Sequence, residues 1–86
     1  MEPTPVLSRY DVARIVGMRS LHLSCGAPPL VHVDDEHLRE NTMYVAAREL
    51  KERRLDVVVR RGERVVRVAD ARLPPCVDVL LGTLGP

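Results

Sequence analysis

The sequence has 86 residues, of which 45% are apolar, with two tyrosines and no phenylalanine or tryptophan. A chain of this length forms one small domain with a thin margin of stability, and a core without large aromatic side chains favours stabilisation by a partner. The formal net charge of +1 is far from the strongly basic balance that favours direct binding to DNA or RNA.

The first residues, MEPTPV, lack the basic and apolar regions of a secretory signal. No apolar run reaches the length of about 18 residues that a membrane span requires. We therefore expect an intracellular protein with no membrane partner, and we interpret residues 1–6, which contain Pro3 and Pro5, as a flexible leader. Cys25 and Cys76 are isolated, which argues against both a zinc site and a disulfide framework.

A first helix is predicted between Ser8 and Cys25. Ser8 stands three residues before Asp11, a spacing of the capping-box kind that marks a helix start. Gly26, followed by two prolines, marks the end, because glycine accepts the left-handed conformation and proline cannot continue a helix. The apolar residues recur at helical spacing and predict one buried face: Val12, Ile15, Val16 and Leu23.

A second helix is predicted after a short extended stretch, residues 30–33. Its start is ambiguous, because Asp35 and Asn41 are both acceptable caps, and its pattern runs to Arg54. Alanines in the middle of this helix would let another element approach closely. The apolar stripe consists of Met43, Ala46, Ala47 and Leu50.

The remaining chain predicts a β-hairpin and a short terminal element. Residues 55–60 and 65–68 are rich in β-branched side chains and predict two strands joined by a turn at residues 61–63. Two prolines then interrupt the chain, and residues 76–85 fit either a short helical turn or a docked tail. The prediction is an α+β fold of two main helices packed with a short hairpin, divided into residues 7–73 and a C-terminal tail or short helix over 74–86.

Two groups of residues have a spacing that could serve metal binding or catalysis. His32, Asp34, Asp35 and His37 could in principle hold a divalent ion, but a strand and a turn give them no fixed ligand geometry. Cys25 follows His22 by three residues, yet no third group orients the pair. The glycines form no phosphate-binding loop. The sequence therefore predicts no catalytic residue, no metal site and no cofactor.

Arginines concentrate in the second half of the chain, around the predicted hairpin. They could contact a nucleic-acid backbone, although no aromatic side chain interleaves with them to stack on bases. An acidic protein surface would explain them equally well. A small nucleic-acid-binding regulator that uses the arginine-rich hairpin therefore stays open as an alternative function.

Residues 8–28 carry the pattern Ser-x-Tyr-Asp-x-Ala-Arg-Ile-x-Gly-x-Arg-Ser-x-x-Leu-Ser-x-x-Ala-Pro. This pattern resembles the signature of the omega-type RNA polymerase subunits, which comprise bacterial omega, archaeal subunit K and the sixth subunit shared by eukaryotic RNA polymerases. The archaeal and eukaryotic branch fits better, although His22 stands where that branch usually has glutamine. Two later blocks, residues 46–55 and 57–61, extend the resemblance, so that it covers about residues 7–68.

The resemblance implies an omega-like domain that acts as a non-catalytic subunit of a multisubunit DNA-dependent RNA polymerase. Such a subunit binds the largest subunit, supports its assembly and stability within a hetero-oligomer with the other polymerase subunits, and meets nucleic acid only indirectly through the complex. The residues that the resemblance assigns to partner binding are Tyr10, Arg14, Gly17, Arg19, Ala27, Pro28, Ala46, Glu49, Leu50 and Arg60.

The hairpin and the apolar tail that follows it also resemble divergent versions of this subunit that large DNA viruses encode. We therefore hypothesise a viral origin. The expected location is the nucleus or the cytoplasm, and the virion for a viral version.

Overall fold

The computed structural model describes residues 4–85 and shows an α+β fold, as the sequence predicts. Within this range no helix is both long and apolar enough to cross a membrane. The helices are α1 (Arg9–Ser24), α2 (Glu36–Glu40), α3 (Thr42–Lys51) and α4 (Cys76–Leu84). An antiparallel hairpin of β1 (Val58–Arg61) and β2 (Arg64–Arg67) precedes a short 3₁₀ helix, Val68–Asp70.

The predicted boundaries of α1 are found in the structure. The Ser8 hydroxyl accepts a hydrogen bond from the backbone N–H of Asp11 at 3.1 Å, and the Asp11 carboxylate accepts one from the Ser8 N–H at 2.9 Å. This reciprocal capping box satisfies two donors that a helix start otherwise leaves unpaired. Gly26 follows the helix with a φ of 104°, a left-handed conformation that glycine adopts without steric cost.

The predicted second helix is two helices, because both candidate caps are used. Asp35 caps α2, and Asn41 caps α3 through a hydrogen bond from the Tyr44 N–H. The prediction that the helix runs to Arg54 is wrong, since α3 ends at Lys51. Arg53 has a φ of 57°, and its guanidinium donates to two backbone carbonyls in the segment after the hairpin. This long-range contact holds the chain in a left-handed conformation that ends the helix.

The core forms where α1 packs across α3. Ala46 and Ala47 are fully buried there, and their small side chains let the two helices approach closely. Val77 of α4 closes one end of this core, so residues 76–84 belong to the packed domain and are not a separate tail. The buried residues of the core are Leu7, Val12, Ile15, Val16, Ala46, Ala47, Leu50, Leu55, Val68, Ala71 and Val77.

Strand β1 is shorter than the predicted strand 55–60 and begins later, whereas β2 has the predicted length and begins one residue earlier than predicted. Val58 pairs with Arg67 and Arg61 with Arg64, which leaves a two-residue turn. Gly62 in this turn has a φ of 60°, as a tight hairpin turn requires. Leu55, predicted to start the first strand, lies in the core before β1 begins.

The predicted flexible leader, residues 1–6, lies outside the described residues over its first three positions. At Pro5 and Val6 the structure departs from the prediction, because both residues are held against Arg72. The Arg72 N–H donates to the Pro5 carbonyl at 2.8 Å, and the Leu7 N–H donates to the Arg72 carbonyl at 3.0 Å. A parallel β-bridge joins Val6 to Arg72, so the docked chain begins before Leu7.

Arg61 at the hairpin tip ties the hairpin to the start of α1. Its guanidinium donates to the Asp11 carboxylate at 2.9 Å and to the Val6 carbonyl. The pKa of Asp11 is lowered from its ordinary value, first by the hydrogen bond from the Ser8 backbone and then by Arg61. A lowered folded-state pKa means that the carboxylate contributes stability above its unfolded pKa of 3.8, and this contribution is lost as the pH falls through the folded-state pKa.

We therefore expect Asp11→Asn to lose less free energy of unfolding than the parent when the pH is lowered from about 5 to about 2. The asparagine keeps an acceptor oxygen but does not titrate. Urea unfolding at each pH measures the difference, and Asp56→Asn, an exposed carboxylate with no such tie, is the control. Equal acid sensitivity in the parent and Asp11→Asn would contradict the role of this carboxylate.

Candidate functional site

A buried ion pair joins α1 to α3. The Arg19 guanidinium meets the Glu49 carboxylate through two contacts, Nε to Oε1 at 2.5 Å and Nη2 to Oε2 at 3.1 Å. The Glu49 side chain is 0% exposed. A bidentate arginine–carboxylate pair is among the stronger charge-assisted hydrogen bonds, and the carboxylate raises the pKa of Arg19 above its ordinary value.

The same pair fixes the loop that follows α1. Arg19 also donates to the Pro28 carbonyl at 2.9 Å, and the Leu30 N–H donates to Glu49 at 2.7 Å. Among residues 4–85 no buried side-chain nitrogen or oxygen lacks a hydrogen-bond partner. Two helices and their connecting loop therefore meet at one satisfied polar cluster inside a small apolar core.

Four of the predicted partner-binding residues face the interior of this chain. Ala46, Glu49 and Leu50 are fully buried, and Arg19 is committed to Glu49 and the Pro28 carbonyl. Ala46, Glu49 and Leu50 offer no free surface, and the Arg19 side chain is only 15% exposed. The geometry therefore does not support a main role for these four side chains in direct partner contact. They hold α1 and α3 in position instead.

The other predicted residues lie at the surface. Tyr10, Arg14 and Gly17 are exposed along α1, and Arg60 is exposed on β1. A Cβ added at Gly17 would meet no atom within 4 Å, so the fold itself does not require glycine there. In the loop after α1, Pro28 is exposed and Ala27 is half-buried.

The exposed side of α1 carries a row of four uncharged residues, with the Arg9 guanidinium 5.3 Å from the centre of the Tyr10 ring at one end. Tyr10, Ala13, Gly17 and Leu21, which we call the outer face, recur three and four residues apart and so share one side of the helix. Tyr10 is 69% exposed and Leu21 62%. This side is opposite the buried residues of α1, and contiguous exposed apolar surface is a sign of an interaction site.

Leu21 was missed by the sequence analysis. A signal was present, because Ala13, Gly17 and Leu21 continue the spacing from Tyr10 along one side of the helix. The prediction of one buried face for α1 does not account for this second apolar side.

An open groove separates α1 from β1, with a volume of about 280 Å³. Arg14 and Met18 line it from the helix, and Val57, Val58 and Arg60 line it from the strand side. The fold thus brings together three predicted site residues at this groove, Arg14 and Arg19 from α1 and Arg60 from β1. Tyr10, Gly17 and Pro28 do not line this groove.

The histidines and cysteines form no catalytic or metal-binding cluster in the described part of the chain. His32 Nε2 contacts Asp34 Oδ1 at 2.7 Å, but both side chains are largely exposed. Cys25 is an exposed free thiol. Across residues 4–85 no group of three or more histidine, cysteine, aspartate or glutamate side chains is arranged to hold a metal ion.

Comparison with known proteins identifies the family. The family model described as RNA polymerase Rpb6 matches residues 4–57, which include α1, α3 and the ion pair between them. This chain belongs to the RNA polymerase Rpb6 family. The resemblance to the archaeal and eukaryotic branch is therefore confirmed.

Relatives in the Rpb6 family come from eukaryotes and archaea. The chain is 38% identical over 58 residues to the probable DNA-directed RNA polymerases I, II, and III subunit RPABC2 of Caenorhabditis elegans, a match that covers 67% of this chain and 40% of that protein. For RPABC2 of Saccharomyces cerevisiae the identity is 36% over 58 residues, covering 67% and 36%. The DNA-directed RNA polymerase subunit Rpo6 of Thermofilum pendens is 39% identical over 57 residues, covering 66% and 68%.

The chain spans about two fifths of the length of its nematode relative. The family match ends at Val57, directly before β1. The predicted likeness of residues 58–68 to the family therefore stays a prediction, and the hairpin and α4 lie beyond the matched region.

We expect Arg19→Ala to lower the free energy of unfolding by about 3–5 kcal/mol, because it leaves the buried Glu49 carboxylate without its cation. Loss of this size is a large part of the stability of a small domain. Arg14→Ala is the matched control on the exposed side of the same helix, with an expected effect within about 0.5 kcal/mol. Chemical denaturation measures both variants, and equal effects would contradict the structural role of Arg19.

Proposed function

We propose that this chain is a non-catalytic subunit of a multisubunit DNA-dependent RNA polymerase. It binds the largest subunit through the outer face of α1 and supports the assembly and stability of that subunit. Membership of the Rpb6 family supports the assignment, as do relatives whose names describe polymerase subunits. The catalytic centre belongs to the complex and not to this chain.

The outer face is the observation that carries the proposal. Tyr10 and Leu21 supply exposed apolar area at its two ends, and Gly17 between them leaves room for a partner backbone to approach closely. Aromatic and apolar anchors of this kind dominate the energetics of protein interfaces. Arg14 stands beside the face and can present a planar donor to a carboxylate or carbonyl of the partner.

The assignment makes this chain part of a hetero-oligomer that meets nucleic acid only through the assembled polymerase. The alternative, a nucleic-acid-binding regulator that uses the hairpin, is less well supported. Arg53 and Arg61 are engaged with oxygens of this chain, and Val58 and Val65 are exposed between the hairpin arginines. Exposed valines favour a protein surface over phosphates.

The proposed site of action is inside the cell, in the nucleus or the cytoplasm, and in the virion if a large DNA virus encodes the chain. The viral origin stays a separate hypothesis. A genome that encodes both this chain and a polymerase largest subunit distinct from the cellular one would support it, and a genome without such a subunit would contradict it.

Leu21→Glu places a charge at one end of the proposed interface. We expect recovery of the large polymerase subunits with the tagged chain to fall at least about tenfold, equivalent to about 1.4 kcal/mol of binding free energy. Quantitative mass spectrometry of the purified complexes measures the recovery.

Val79→Glu is the matched control, because Val79 on α4 is 67% exposed and receives the same change away from the outer face. Circular dichroism checks that both variants keep their helices. Full recovery of polymerase subunits with Leu21→Glu would contradict the proposed interface, and loss with both variants would show that the outer face has no special part in it.

A further inference from the structure

We propose that the groove between α1 and β1 binds an extended segment of a partner polypeptide, which pairs as an added strand with the free edge of β1 and alternates apolar and acidic residues. This goes beyond the proposed function, because the groove is a second surface, on a different side of α1 from the outer face. Three residues that line the groove from the β1 side, Val58, Val59 and Arg60, also lie outside the residues that match the family.

The register of the hairpin leaves one edge of β1 free. The Val68 N–H donates to the Val57 carbonyl at 3.0 Å, so residues 57 and 68 form a hydrogen-bonded pair. In an antiparallel ladder such pairs alternate with pairs whose backbone groups point away from each other. Val58 and Arg60 are therefore the residues that direct N–H and C=O groups outward, and within residues 4–85 no backbone group outside the hairpin pairs with them.

The groove beside this edge is largely apolar. Ile15 and Met18 line it from α1, and Leu55, Val57 and Val59 line it from the other side. Its volume of about 280 Å³ is close to the lower end of ligand pockets, roughly 300 Å³, and suits a few side chains of an extended segment. Since successive side chains of a strand point to opposite faces, every second residue of an added strand would enter the groove.

The charges at the groove favour acidic residues at the alternate positions. Arg14 and Arg60 flank it from opposite sides. The one carboxylate among its lining residues, Asp11, is already paired with Arg61. Opposite charges on neighbouring strands stabilise a cross-strand pair, so an acidic side chain next to Arg60 is the complement that the site offers.

A strand of protein fits these features better than nucleic acid. Val58 is 59% exposed directly beside the free edge, and no aromatic side chain lines the groove to stack on a base. Main-chain hydrogen bonds to a sheet edge supply affinity for an extended peptide, and pockets for alternate side chains supply its specificity.

The test uses the full chain and a fluorescent, end-blocked nine-residue peptide of alternating valine and glutamate, with a scrambled peptide of the same composition as the reference. Val58→Pro removes the outward N–H of β1 and leaves the ladder to β2 intact, because that N–H does not face β2. Val65→Pro removes the corresponding outward N–H from the opposite edge of the hairpin and is the matched control.

Fluorescence anisotropy measures the dissociation constant of the alternating peptide. We expect the values for the parent and Val65→Pro to agree within about twofold, and the value for Val58→Pro to be at least about tenfold higher. When the peptide is added to the parent chain, the largest changes in amide chemical shift in NMR spectra should be those of Val58 and Arg60. Arg60→Glu should weaken binding of the valine–glutamate peptide and strengthen binding of a valine–lysine peptide. Protection of the Val59 and Val66 amides from exchange checks that each variant keeps the hairpin.

Several outcomes would overturn the proposal: no binding by the parent, equal binding of the scrambled peptide, or equal effects of the two proline variants. Pairing of two copies of the chain through β1, or displacement of the peptide by an oligonucleotide, would also overturn it. The variants leave Tyr10, Gly17 and Leu21 unchanged, so failure here is distinguishable from failure of the outer-face interface.

Discussion

The ion pair between Arg19 and Glu49 is the constraint on which the arrangement of this domain depends. Its carboxylate is buried, and an unpaired charge at such a position costs several kcal/mol. Rotation or sliding of α1 along α3 would separate Arg19 from Glu49 and is therefore unfavourable by this amount. Because Arg19 and Glu49 also bind the loop at Pro28 and Leu30, the pair fixes the path of the chain between α1 and α2.

Fixing the rotation of α1 decides which of its apolar residues face outward. One side of the helix fills the core with Val12, Ile15 and Val16, and the opposite side leaves Tyr10 and Leu21 in water. In a free-standing domain the exposed Tyr10 and Leu21 would contribute no burial to stability. The proposed role as a polymerase subunit accounts for their exposure, because a partner that covered the exposed area would supply the burial that this small, aromatic-poor core lacks.

Local signals in the sequence predicted local structure well. The capping pair at Ser8 and Asp11, the stop at Gly26 and the hairpin turn each depend on neighbouring residues, and each is found. Two features that depend on distant partners were missed: the left-handed conformation of Arg53 and the docking of Pro5 on Arg72. The same distinction between local and distant interactions applies to the candidate site. Spacing could place Tyr10, Arg14 and Gly17 on α1, but it could not show that Glu49 is the buried partner of Arg19, thirty residues away.

A double-mutant cycle on the pair tests this account most directly. Arg19→Met, Glu49→Leu and the double variant are compared by the free energy of unfolding of the full chain. If the pair fixes α1 on α3, the sum of the losses of unfolding free energy in the two single variants should exceed the loss in the double variant. The difference, which is the interaction energy, should be about 2 kcal/mol or more. Additive effects, within about 0.5 kcal/mol, would contradict the claim that this contact organises the domain.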